Sequence, residues 1–233
     1  MSASAVSVVI PVHNGETFLA EAIDSALGQQ PAPLEVIVVD DGSSDRTGEV
    51  IAGFGEKVIG ARQRNRGPAV ARNTGIALAS APLIGFLDAD DQWTSEALAR
   101  QLECLASSPE ADVVWGRCER LVMPDAPRLD ERYDRPQWIL CTGAMLFSRQ
   151  LLEAVGGFDE SFRTGEDMDL MARLRERNAS IVQHPHVVHR VRVHAASRFR
   201  TDPAAMEQGH YRAVRKALAR KREKRAASDA AGD

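Results

Sequence analysis

Three carboxylates crowd one short stretch of the chain. Asp88, Asp90 and Asp91 close the apolar run Leu83–Leu87, with only Ala89 between them. Acids packed this closely at a strand end cost solvation and repel one another unless a cation joins them. Hard oxygen donors suit Mg²⁺ or Mn²⁺, ions that also bind substrate phosphates. The plain alternative is an acidic turn capping a helix that starts at Thr94. A fourth acid, Asp167, stands in GEDMDLMARLRER (Gly165–Arg177). It precedes Leu170, Met171 and Leu174 by three, four and seven residues, which puts it on the apolar stripe of a helix and aims it inward. Asp169 lies four residues before Arg173 and is expected to pair with it in water. An inward carboxylate apart from a metal cluster is suited to take a proton. The alternative for Asp167 is a first-turn acid favoured by the helix dipole.

The elements around these acids alternate. Val6–Val12 (VSVVIPV) is a β-branched, nearly continuous apolar run, as a buried parallel strand requires. A helix follows through Leu27, ended by Gly28–Pro31. Leu34–Val39 is a second strand, closing in Asp40 and Asp41, and Ser44 is the expected N-cap of the next helix. Lys57–Ala61 reads as a third strand. Gly67 and Pro68 open a helix, with Pro in the first turn where its missing N–H is harmless. Leu83–Leu87 is the fourth strand. This spacing predicts βαβ units: an α/β fold with a mostly parallel central sheet and helices on both faces. Such sheets bind ligands at the carboxyl ends of their strands, so Asp40, Asp41, Asp88, Asp90 and Asp91 are expected to converge. Further on, the pattern predicts a helix over Ser95–Ala106 and strands over Asp112–Val122, Trp138–Phe147 and Ile181–Val193. It also predicts helices over Arg149–Val155, Glu166–Arg177 and Asp202–Arg225. Pro124–Pro136 reads as a loop over the site. The expected organisation is one domain over 1–200, with halves at about 1–110 and 111–200, then a basic helix over 201–225 and a disordered tail over 226–233.

Composition narrows the function classes. The 233 residues carry a net charge of -4, yet Tyr211–Arg225 holds eight Lys or Arg against one Glu, a local +7, which leaves -11 on the rest. An acidic body argues against general nucleic-acid binding. The basic stretch has Tyr211, Val214 and Leu218 at helical spacing. It is a candidate for peripheral contact with the inner face of a membrane, or for an ordinary solvated or partner-contacting helix. Cys104, Cys118 and Cys141 form neither a disulfide framework nor a zinc pattern, which points to a reducing cytoplasm. No basic leader and no run of apolar residues long enough to span a membrane is present in the sequence.

Five blocks in order resemble the family 2 inverting glycosyltransferases, nucleotide-sugar enzymes with a Rossmann-like A-type fold. They are VSVVIPVHNGETFLAEAIDSAL, VIVVDDGSSDRT, NRGPAVARNTGIALASAPLIGFLDADDQW, GAMLFSRQLLEAVGGFDESF and GEDMDL. The resemblance implies a donor site in which Pro11 lines the base pocket through its backbone. Asp41, with Asp40, would accept from the base or ribose, and Arg72 would lie near the nucleotide. Asp88 and Asp90 would form an Asp-x-Asp pair holding ribose and metal, with Asp91 a further metal ligand. Asp167 matches the family's general base, with Glu166 beside it on the acceptor side. RVHAAS (Arg192–Ser197) is similar to a late Arg-x-His-x-x-Ser pattern, which would bring His194, with Arg192, to the diphosphate or metal. The implied cofactor is Mn²⁺ or Mg²⁺, and the implied partners are a nucleotide-sugar donor, UDP-linked as first expectation, and an acceptor hydroxyl of unassigned class.

The chemistry agrees with that set. A diphosphate leaves readily once a divalent cation neutralises it, so no second acid need protonate it, unlike glycoside hydrolysis. Trp93 and Trp138 are candidates to line an acceptor pocket and Trp115 is expected in the core. His13 is expected as a turn residue, and His184, His186 and His189 fit an alternating strand better than a metal cluster. A nucleotidyltransferase would carry a Gly-rich, basic loop after the first strand where this chain has HNGET. A phospho-receiver module would leave Gly165–Leu174 without a purpose. A non-catalytic sugar-nucleotide binder remains the other alternative.

Overall fold

The computed structural model describes residues 5–126, 135–195 and 203–231. Eight strands, Val6–Val12 (β1), Glu35–Asp40 (β2), Ile59–Arg62 (β3), Leu83–Phe86 (β4), Gln92–Trp93 (β5), Val113–Val122 (β6), Met145–Ser148 (β7) and Ile181–Val193 (β8), form one sheet in the order β3-β2-β1-β4-β7-β6-β8-β5. The helices are Leu19–Leu27 (α1), Thr47–Gly53 (α2), Pro68–Leu78 (α3), Ala97–Ser107 (α4), Arg149–Ala154 (α5), Glu166–Glu176 (α6) and Pro203–Ala231 (α7). The fold is α/β, as the alternation predicts.

β1 is buried at all seven positions, which is why its sequence is apolar throughout rather than alternating. α3 lies so close above it that a Cβ on Gly75 would stand 2.2 Å from Val9 Cγ1. Phe86, Phe147 and Phe158 meet edge to face at 5.7 and 5.3 Å and carry the core from the first half of the sheet into the second.

Strand direction brings the site together. β3, β2, β1 and β4 run parallel, so the chain leaves β2 at Asp40 and β4 at Phe86 on one edge. β7 runs antiparallel to β4, β6 antiparallel to β7, and β8 parallel to β6. Two reversals restore the original direction. The end of β8 at Val193 therefore emerges on the same edge as the end of β4.

Several local expectations are corrected. Of the expected strand Trp138–Phe147 only Met145–Phe147 is a strand, which continues to Ser148; a 3₁₀ turn over Thr142–Ala144 precedes it. There the Gly143 carbonyl accepts from Trp93 Nε1 at 2.8 Å. Gln92–Trp93, not expected as a strand, pairs antiparallel with β8. α2 begins at Thr47, with Arg46 and not Ser44 in the N-cap position; just before it, Asp45 Oδ1 accepts from Thr47 N and Oγ1 at 3.0 and 2.5 Å. α7 continues to Ala231, past the end expected at Arg225. Of the expected loop Pro124–Pro136, residues 127–134 lie outside the described residues, as does Ser197.

Candidate active site

The acids at the sheet edge fall into two groups. Asp40 and Asp41 are 2% and 3% exposed. Asp40 Oδ1 accepts from Ser43 N at 2.8 Å and Oδ2 pairs with Arg62 Nη1 at 3.0 Å. Asp41 accepts from Gln63 Nε2, Arg66 N and Gly67 N at 2.8, 2.9 and 2.7 Å. That fills three of a carboxylate's roughly four acceptor sites. The sequence offers both as open acceptors for a donor; the structure spends them on holding the β2–α2 turn against the loop that opens α3. Pro11 is buried in β1 opposite Val39, and His13 Nδ1 donates to the Asp41 carbonyl at 3.0 Å.

Asp88, Asp90 and Asp91 are less evenly treated. Asp91 is buried; its Oδ2 takes His189 Nε2 and its Oδ1 takes Arg192 N, each at 2.8 Å. Both oxygens anchor β8, where the sequence offers them to a metal. His189 is fully buried, a partner the sequence did not assign. Burial would lower its pKa, but Cys141 and Asp91 outweigh that and hold it well above the ordinary value. Asp88 Oδ1 takes Arg72 Nη2 at 2.7 Å. Asp90 keeps 44% of its side-chain surface open, and its Oδ2 stands 3.4 Å from His194 Nε2. Surrounding protein first, then the charges of Asp91 and Asp88, push its carboxyl up to about 6.

This is the donor set a hard cation would meet. No group of three His, Cys, Asp or Glu side chains is arranged to hold a metal among the described residues. A Mg²⁺-like ion that shares a site with substrate phosphates, however, needs only one or two protein ligands. Asp90 and His194 fit that smaller requirement, and a cation beside them would relieve the crowding of negative charge. Both are fixed from behind. Arg192, buried in β8, donates from Nε to the Asp90 carbonyl at 2.8 Å and from Nη2 to Glu21 at 2.7 Å, and it stacks 4.4 Å over Phe18. The His194 ring lies 4.8 Å from the same Phe18 ring. Arg192 is thus a brace for Asp90, not a group presented to a diphosphate. Glu21 and Phe18 were missed; their only trace in the sequence is a polar and an aromatic residue in the turn and helix after β1.

α6 supplies the opposite wall. Its N-cap residue, Gly165, has φ +80°, and a Cβ there would stand 2.7 Å from the Gly209 backbone carbon. Glu166, expected on the acceptor side, is buried and paired with Arg72 Nη1 at 2.6 Å. Arg72 therefore joins Asp88 at the sheet edge to Glu166 on α6, with Phe158 5.4 Å beneath it. Its own burial opposes the charge, but Asp88 and Glu166 hold it firmly protonated.

Asp167 is next to that bridge. Burial, then the neighbouring charge of Glu166, raises its carboxyl to about 6; Arg72 and the Met168 N–H pull the other way. Its one hydrogen-bond donor among the described residues is Met168 N, at 2.8 Å. Asp88 also acts on it through space, so the two walls share one electrostatic site. The expected division of labour on α6 is altered: Asp169, assigned to water, is fully buried between Arg173 and Arg220 at 2.7 and 2.9 Å, while Asp167 is partly open. The sequence of α6 could not show that α7 covers Asp169.

Of the aromatic candidates, Trp93 is 4% exposed, bonded to Gly143 and lying over Gly85; it belongs to the core, not to an acceptor pocket. Trp138 is 46% exposed, with Arg117 5.1 Å from its ring. Trp115 is buried as expected.

Comparison with known proteins gives one consistent picture. A family model described as glycosyl transferase family 2 matches residues 7–222. An uncharacterized glycosyltransferase of Rickettsia prowazekii, RP339, is 30% identical over 220 residues, which covers 87% of this chain and 68% of that protein. Among solved structures, S. aureus TarS 1–349 in complex with UDP-GlcNAc superposes with TM-score 0.72 at 19% identity, over 91% of this chain and 65% of that one. Mannosyltransferase PcManGT from Pyrobaculum calidifontis in complex with GDP-Man and Mn²⁺ gives 0.68 at 22%, over 92% and 65%. The chain spans 36% of another TarS chain with the same fold.

Proposed function

Because the chain belongs to glycosyl transferase family 2, and so to the enzymes that transfer sugars, we propose that it is an inverting, metal-assisted glycosyltransferase with Asp167 as its base. The donor is a nucleotide-diphospho-sugar, with UDP as the first expectation and GDP as the alternative: TarS neighbours hold UDP and UDP-GlcNAc, and the mannosyltransferase holds GDP-Man. The observation that carries the reading is the Arg72 bridge. It ties the acidic sheet edge at Asp88 to Glu166, the residue before Asp167, at 2.7 and 2.6 Å.

Each residue then has a task. Pro11 and the turn locked by Asp40 and Asp41 form the wall for the nucleoside. Asp88, neutralised by Arg72, receives the ribose. Asp90 and His194 would hold Mn²⁺ or Mg²⁺, which supplies charge neutralisation for the departing diphosphate. Asp167 accepts the proton of the acceptor hydroxyl. With a carboxyl poised near 6 it is ionised at neutral pH yet more basic than an exposed aspartate. Attack from the α6 wall, opposite the leaving group, inverts the anomeric carbon.

The test is a panel of UDP-, dTDP- and GDP-sugars, followed for nucleotide release with Mn²⁺, Mg²⁺ or chelator. Metal-stimulated release from one donor, abolished in Asp90→Ala, supports the assignment. Release that ignores metal and survives Asp90→Ala rejects it.

A further inference from the structure

The eight cations between Tyr211 and Arg225 divide equally between two sides of α7. Arg212 donates to the Ser161 carbonyl and stacks on Phe162. Lys216 pairs with Asp159. Arg220 binds Asp169 and Glu176, and Lys224 lies 4.0 Å from Glu176. With Ala213, 2% exposed, these residues form the side that packs on the body. Folding accounts for them.

It does not account for the other four. Arg215, Lys221, Arg222 and Arg225 are exposed and make no ion pair among the described residues. At about 100° per residue they fall within about 60° of Leu218. The same strip carries Tyr211, Val214 and Leu218, which are 62%, 48% and 50% exposed. Two acids share that line, Glu207 before these residues and Asp229 beyond them. An apolar strip flanked by unneutralised cations is the pattern of a helix that lies in a lipid headgroup region.

We infer that this outer face of α7 docks on an anionic lipid bilayer. The three apolar side chains enter the interface and the four free cations meet lipid phosphates, while the inner face stays attached to α6. An acidic protein partner would answer the cations but gives no reason for the exposed tyrosine and leucine. A second copy of this chain would set the same four cations against themselves. Docking would also hold the α6 wall near the lipid surface, since Thr164 Oγ1 donates to the Ala205 carbonyl at 2.8 Å and Gly165 packs on Gly209.

The test is co-sedimentation of the full chain with vesicles of phosphatidylcholine alone or with about 30% phosphatidylglycerol, at low and high salt. The expected result is at least about tenfold more protein on the anionic vesicles, released by salt. Leu218→Glu and the pair Arg215→Ala with Arg222→Ala should each abolish that excess while sugar-nucleotide hydrolysis is unchanged. Protein that stays in the supernatant with anionic vesicles overturns the inference. So does equal binding to both vesicle types, or a dimer in light scattering that Leu218→Glu dissolves.

Discussion

Asp41 and Asp167 are both aspartates drawn into the protein beside a loop that opens a helix, and they are treated in opposite ways. Asp41 receives three hydrogen bonds from its surroundings. Asp167 receives one, from the next residue, and sits against the charge of Glu166. A carboxylate with three of its roughly four acceptor sites answered is a fixed part of the framework. One that is partly buried with a single donor, beside a like charge, has proton affinity to spare. The first half of the sheet edge holds the satisfied kind. The start of α6 holds the other kind, which is where the proposed chemistry would lie.

The largest effect expected from this contrast is on turnover. Asp167→Asn should lower kcat by about 10³-fold with donor binding near normal. In the native enzyme, kcat should fall about tenfold per pH unit below about 6, where Asp167 becomes protonated. Wild-type turnover in the variant, followed by nucleotide release, would break the comparison. Next comes Asp41→Ala, which strands three donors in a buried turn and should cost about 2–4 kcal/mol in urea unfolding.

Asp167→Asn should do the reverse to stability. A carboxyl whose folded pKa lies above its unfolded value costs the fold free energy once both states are ionised. That cost is absent below about pH 4, builds toward 6 and is full above it. The variant should therefore be more stable than the native protein at pH 7–8 by about 1–3 kcal/mol, with the gap closing at pH 4. A gap that persists there would point to packing, not charge. The smallest effect is Trp93→Phe, which should lose about 1 kcal/mol with the Gly143 hydrogen bond and leave acceptor affinity unchanged.

The first half of the sheet was legible because a strand buried on both faces needs a continuous β-branched run, and VSVVIPV and EVIVVD supply it. The presence of acids at the sheet edge was legible for the same reason: they interrupt such runs. Their roles were not. Asp40, Asp41 and Asp91 look like Asp90 in sequence, and only the distant donors Arg62, Gln63, Gly67 and His189 set those three carboxylates apart from the more exposed one. Periodicity placed Asp167 on its helix, but it mistook Asp169 for a solvent residue because Arg220, its second partner, is 51 positions away. Trp93 misled for a related reason. Its neighbour in sequence is the acidic cluster, while its neighbours in space are Gly85 and Gly143.

Gly165 and Gly209 touch backbone to backbone, and Arg220 closes over Asp169 a few turns further along. The long helix is therefore stitched to the very segment that carries Asp167, and cutting the protein at the end of β8 would unpick it. Anyone grafting this catalytic unit onto another scaffold, or shortening it for expression, would need to keep the chain through at least Lys224.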